Sequence, residues 1–106
     1  MIKVGKCLIL NGDFQEDIDP KCFKDCYPIT CGLSLRSTVT ASSIDEEGFT
    51  YCLQRSIVTV ENKEVLPQEF NVFWSVKPED IYPYLAIVTM LLICGVSVDL
   101  FNTIVF

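Results

Sequence analysis

Charge is absent from the 18 residues between Ile81 and Val98, and the chain continues for only eight more. An uncharged run of that length reads as a membrane-spanning helix. Upstream of it the hydrophobic pattern changes to period two. Residues 2–10 predict a strand closed by the turn signal Asn11-Gly12-Asp13. Between Gly32 and Ser42 the apolar residues Leu33, Leu35, Val39 and Ala41 alternate with Ser34, Arg36, Thr38 and Thr40, which predicts a strand with one wet face. Asp45-Glu46-Glu47-Gly48 breaks the chain. The aromatic and β-branched stretch from Phe49 to Val60 predicts a long strand, and Asn62-Lys63-Glu64 a hairpin turn. Pro67 confines the start of the last strand to an edge or a bulge, after which Phe70, Val72, Trp74 and Val76 alternate strictly.

This pattern predicts a small all-β head of about four antiparallel strands, a disulfide-stabilised sandwich or barrel-like fold, over residues 1–77. A single C-terminal transmembrane α-helix within residues 78–106 completes the expected architecture. Glu79 and Asp80 suit a helix N-terminus near Ile81, Pro83 falls in the first turn, and Tyr82 and Tyr84 sit at headgroup level. Leu91, Gly95, Asp99 and Thr103 follow at i+4 steps with Asn102 beside them. They give the expected helix one small, polar stripe for packing against another transmembrane helix.

A head of this size gains stability from staples, and five of the six cysteines lie in it: Cys7, Cys22, Cys26, Cys31 and Cys52, with Cys94 in the apolar run. The favoured bridges are Cys7 to Cys52, and one within Cys22, Cys26 and Cys31. Zinc is the alternative use of these thiols, yet the Cys-x2-Cys of a knuckle is missing. The chain has no histidine, which rules out mixed Cys/His sites.

Charge narrows the function. All eight Lys and Arg precede Ile81 together with 13 of the 14 acids, so that part carries −5 and offers no basic stripe for nucleic acid. Without histidine a cysteine or serine nucleophile lacks its usual base. The clusters Glu16-Asp17-x-Asp19 and Asp45-Glu46-Glu47 lack the ligand order of an EF-hand and read as solvated loops. No catalytic residue, cofactor, metal or small-molecule substrate is therefore expected. On the predicted last strand Trp74 and Phe70 share a face that suits the core, which leaves Phe73 as the exposed contact candidate.

The basic start Met1-Ile-Lys-Val-Gly-Lys precedes only four consecutive apolar residues, too few for a signal peptide, and no Asn-x-Ser/Thr sequon occurs. These features place the expected anchor in a virion or organellar membrane, with the cell surface as the other option. The expected function is a non-enzymatic structural or accessory subunit of a larger membrane-associated assembly, whose partners are the bilayer and other protein subunits. A surface-displayed recognition or fusion-associated module is the alternative, and a zinc-stabilised, tail-anchored cytosolic adaptor is a third.

Overall fold

A mixed six-stranded sheet with one helix across its face is the centre of the computed structural model, which describes residues 2–4, 7–11 and 27–103. In chain order the strands are β1 (Ile2–Val4), β2 (Cys7–Asn11), β3 (Tyr27–Cys31), β4 (Val39–Asp45), β5 (Gly48–Leu53), β6 (Ile57–Val58), β7 (Glu64–Val65) and β8 (Gln68–Val72). The helix, α1, spans Ile81–Ile93, follows a 3-10 turn at Pro78–Asp80 and precedes a second one at Val98–Thr103. The sheet order is β1-β2-β3-β4-β5-β8, while β6 and β7 form a separate hairpin. β2 and β3 run parallel, β3 meets β4 in parallel at the single pair Cys31 and Val39, and the remaining neighbours are antiparallel.

Alternation along the strands sorts the two faces. Ile9, Ile29, Cys31, Val39, Tyr51, Leu53 and Val72 are buried together with Leu85, Val88, Leu92 and Ile93 of α1 in one cluster. The opposite face of β4, β5 and β8 carries Thr40, Ser42, Thr50, Glu69 and Asn71, most of them partly or fully exposed. Over β4, β5 and β8 one face is dry and the other wet, and α1 covers the dry one, while β2 is buried on both faces, Leu8 and Leu10 included.

The expected all-β head with a transmembrane helix is thus overturned, and so are the single-pass anchor and the membrane localisation built on it. Among the described residues no helix is long and apolar enough to cross a membrane. α1 has 13 residues, a length of about 20 Å at 1.5 Å per residue against a hydrocarbon slab of about 30 Å. Its end is set by Gly95, which takes φ +83°. The N–H of Gly95 donates to Leu92 O at 3.0 Å and that of Val96 to Leu91 O at 2.9 Å, the paired bonds of a Schellman cap. Val60 N–H donates to Ile93 O at 2.9 Å and occupies a further carbonyl at that end. The uncharged run is therefore a core helix, a glycine cap and a loop. Its inner side, with Leu85, Val88, Leu92 and Ile93, carries no charge because it is dry.

The expected strand from Gly32 to Ser42 is also corrected. Residues 32–38 form an irregular loop and β4 begins only at Val39, leaving Leu35 86% exposed. The alternation there matches no buried face. The long strand from Phe49 breaks after Leu53, and Asn62, at φ 62°, helps turn the chain between β6 and β7.

Candidate functional site

One corner of the sheet combines an exposed aromatic ring, an acidic turn and a cavity. β4 slips its register against β5 between Ser42 and Asp45, with Ser43 at φ 52°, a bulge that turns the strand end outward. Asp45 then closes the turn, its Oδ1 accepting from the N–H of Glu47 at 2.8 Å and of Gly48 at 3.2 Å. Gly48 lies at φ +153°, and a Cβ there would stand 2.1 Å from Val72 O and 2.9 Å from Phe73 Cα. Only glycine lets the turn rest on the end of β8.

That close approach sets the cavity. It measures about 180 Å³ and is lined by Ser43, Asp45, Glu47 and Phe49 of the hairpin and by Asn71, Val72 and Phe73 of β8 and its extension, among others. Phe49 and Val72 are buried beneath it, whereas Phe73 is 65% exposed. Thr50 Oγ1 donates to Asn71 Oδ1 at 3.0 Å and ties the two strands beside it. Among the described residues the lining holds two carboxylates and no Lys or Arg.

The far side of Phe73 is fixed by the C-terminal 3-10 turn. Phe101 is fully buried with its ring centroid 5.5 Å from that of Phe70, and Trp74 Nε1 donates to Phe101 O at 3.2 Å. These contacts seat Asn102 against the outer edge of β8. Its Oδ1 accepts from Phe73 N–H at 2.8 Å and its Nδ2 donates to Asn71 O at 3.3 Å. One side-chain amide thereby takes the two bonds that a residue of a parallel neighbouring strand would make around Val72. The Phe73 backbone is held while its ring faces outward.

A second polar group is sealed under α1. Thr89 Oγ1 donates to Leu85 O at 2.8 Å, so it accepts the hydroxyl of Tyr51, also at 2.8 Å, and lies 3.7 Å from Cys31 Sγ. Cys31, Tyr51 and Thr89 are all fully buried. Burial pushes the Cys31 thiol up to about 12 against an opposing hydrogen bond from Thr89, and it raises the Tyr51 phenol as well. A thiol held neutral is a poor nucleophile, so this group ties helix to sheet rather than presenting chemistry.

The expected helix-contact residues do not share one stripe. Leu91 is half-buried on α1, Gly95 ends the helix, Asp99 is exposed in the following turn, Asn102 sits on β8, and Thr103 closes that turn. Breaking the helix at Gly95 breaks the i+4 series on which they were aligned.

The disulfide expectation is overturned where it can be seen. Among the described residues no pair of cysteines is bridged or at bridging distance. Cys7 on β2 and Cys52 on β5 have β3 and β4 between them. Three strand spacings amount to about 14 Å, twice the Cα separation that a bridge tolerates. Cys7 Sγ donates to Val58 O at 3.6 Å instead, and Cys52 Sγ lies 3.7 Å from Ser42 Oγ. Cys22 and Cys26 lie outside the described residues, and Cys94 is exposed. No three Cys, Asp or Glu side chains converge as a metal set among the described residues.

The sequence marked Phe73, which is exposed here, but it presented Asp45 to Gly48 only as a chain break with solvated acids and Asn102 only as part of the expected transmembrane stripe. The signal for Asp45 and Gly48 was the Asp-x-x-Gly spacing of a tight turn; Asn102 on β8 had no local signal. Compared with protein-family models, curated proteins and solved structures, the chain shows no match to any of them.

Proposed function

We infer that this chain is a non-catalytic protein-binding module, an accessory subunit that docks a partner at the corner formed by the β4–β5 turn and Phe73. The observation that carries this reading is an aromatic ring 65% exposed on a pinned backbone, beside a cavity lined by Asp45 and Glu47. A rigid aromatic anchor gives contact area at little entropic cost, and centrally placed aromatics dominate binding energy at interfaces. The carboxylate rim selects the sign of the partner. It fits a segment with an apolar side chain against Phe73 and a Lys or Arg beside the turn, and a chain of net charge −6 steers such a segment inward.

Two variants test this with the tagged chain expressed in its native source, bound proteins being quantified by mass spectrometry. Phe73→Ala removes the anchor and should weaken capture of the partner about tenfold or more. Glu47→Lys inverts the rim and should lose the same partner, with a loss that shrinks as salt rises. Both should keep the wild-type circular dichroism, because neither side chain is buried. Equal recovery of every bound protein by wild type and both variants would refute the reading.

A further inference from the structure

β8 is the last strand of the sheet, and only one side chain, Asn102, is bonded to its outer edge among the described residues. We propose that the partner docks on this edge as an extended basic segment running parallel to β8, its main chain taking the place of the Asn102 amide. This rests on the reading of the Phe73 corner above and adds the form in which the partner binds.

The bonds at Asn102 show which main-chain groups face outward. Asn71 O and Phe73 N–H point away from β5, since both are bonded by Asn102. Alternation then turns the main chain of Glu69 the same way. Among the described residues nothing bonds Glu69 N–H, Glu69 O or Asn71 N–H, and Gln68, Glu69 and Asn71 are all exposed. β8 pairs with β5 from Gln68 to Val72 without a register shift. A regular edge with unused donors and acceptors is a template for one more strand.

Asn102 also shows which way that strand runs. A residue of a parallel neighbour donates to the carbonyl before the residue it faces and accepts from the N–H after it. The Asn102 amide makes this pair of bonds around Val72, at 3.3 Å and 2.8 Å. An antiparallel neighbour would exchange both bonds with a single residue instead. Clearing the edge takes one side-chain rotation, because Asn102 is exposed, whereas Phe101 stays buried and keeps the turn in place.

Charge selects the occupant. Asp45 and Glu47 line the cavity together with Asn71 and Phe73, and Glu69 lies two residues back on the same edge. A second copy of the chain would bring its own Glu69 and a net charge of −6 against these carboxylates. A basic segment is drawn in by them.

The probe is a pool of acetylated, amidated hexapeptides with Lys, Val or Phe at every position, incubated with the full chain; retained members are identified by mass spectrometry. Wild type should retain basic members, and Asn102→Ala should hold them several-fold more tightly, because the competitor for the edge is gone. N-methylation scanned along the tightest member should weaken binding about tenfold at alternate positions and be tolerated between them, since alternate N–H groups of an added strand face β8. The Glu69 and Asn71 amides should exchange with deuterium more slowly in the complex. Binding lost in Phe73→Ala but indifferent to Asn102→Ala and to N-methylation would leave the corner reading standing and overturn strand addition. Alternating N-methyl sensitivity that persists in Phe73→Ala would keep strand addition and remove Phe73 as its anchor. Retention of no member overturns the proposal. So does self-association of Asn102→Ala in sedimentation, which would give the edge to a second copy. If Asn102→Ala melts markedly lower than wild type, the N-methyl scan on the wild-type chain decides alone.

Discussion

Replacing Thr89 by Val keeps the shape of the side chain and removes one oxygen from the sealed group under α1. The Tyr51 hydroxyl, fully buried and bonded at 2.8 Å to that oxygen, then loses its partner. An orphaned buried hydroxyl costs about 1–3 kcal/mol, and relief of the bond from Thr89 back to Leu85 O returns only a few tenths. Thr89→Val should therefore cost about 2 kcal/mol. Tyr51→Phe is the milder change, because Thr89 keeps its bond to Leu85 O at 2.8 Å; about 1 kcal/mol is expected. If the two effects were independent the double variant would lose about 3 kcal/mol, but with both oxygens gone only the weakly bonding Cys31 thiol is left unpaired, and about 1 kcal/mol is expected instead. Urea unfolding of the four proteins measures the cycle, with constant m-values as the check on two-state behaviour. Additive losses, or a Thr89→Val variant as stable as wild type, would show that the Tyr51 hydroxyl is not desolvated on Thr89.

Gly48 and Gly95, both of positive φ, separate conformation from contact. A Cβ on Gly95 meets nothing within 4 Å, so Gly95→Ala pays only for its left-handed backbone, about 1 kcal/mol by thermal melting. A Cβ on Gly48 would lie 2.1 Å from a main-chain oxygen that cannot swing aside, and Gly48→Ala should cost about 3 kcal/mol; equal losses would contradict the close packing of the turn on β8. Stability should also fall at alkaline pH. Cys31 ionises near 9.0 when unfolded but only near 12 when folded, and Tyr51 is shifted in the same direction. The folded state retains protons that the unfolded state releases, so stability is full below about pH 9 and declines as pH climbs toward 12. Urea midpoints between pH 7 and 11 test this, and Cys31→Val should flatten the decline.

How much was legible in the sequence differs from element to element. The turn signals at Asp45-Gly48 and Asn62 were local, because a short polar side chain and a glycine fix dihedral angles by themselves. Strand period set Phe73 opposite Trp74; β8 ends at Val72, short of the expected strand, and the two still differ, 65% against 5% exposed. The 18-residue run misled because hydropathy records that a segment avoids water without recording what replaces the water. Lipid and the apolar face of a sheet select the same side chains. The decisive residue, Gly95, was visible, but it was read as a small contact in a continuing helix rather than as the residue that ends one.

The cysteines misled for a related reason. Two cysteines on strands can be bridged only if those strands are near neighbours, and strand order in a mixed sheet does not follow chain order. The sequence by itself determined the hydrophobic inventory, the turns at Asp45–Gly48 and Asn62, the acidic balance and the start of the helix at Ile81, since each depends on residues within a few positions of one another; the expected single strand over residues 2–10 is instead the antiparallel pair β1 and β2. Only the tertiary structure decided that α1 covers the sheet, that Cys7 and Cys52 lie three strands apart, and that Asn102 caps β8 beside Phe73. These rest on contacts between residues as far as 58 positions apart, as with Cys31 and Thr89, and the free energy of packing that chooses among such pairings has no local trace in the chain.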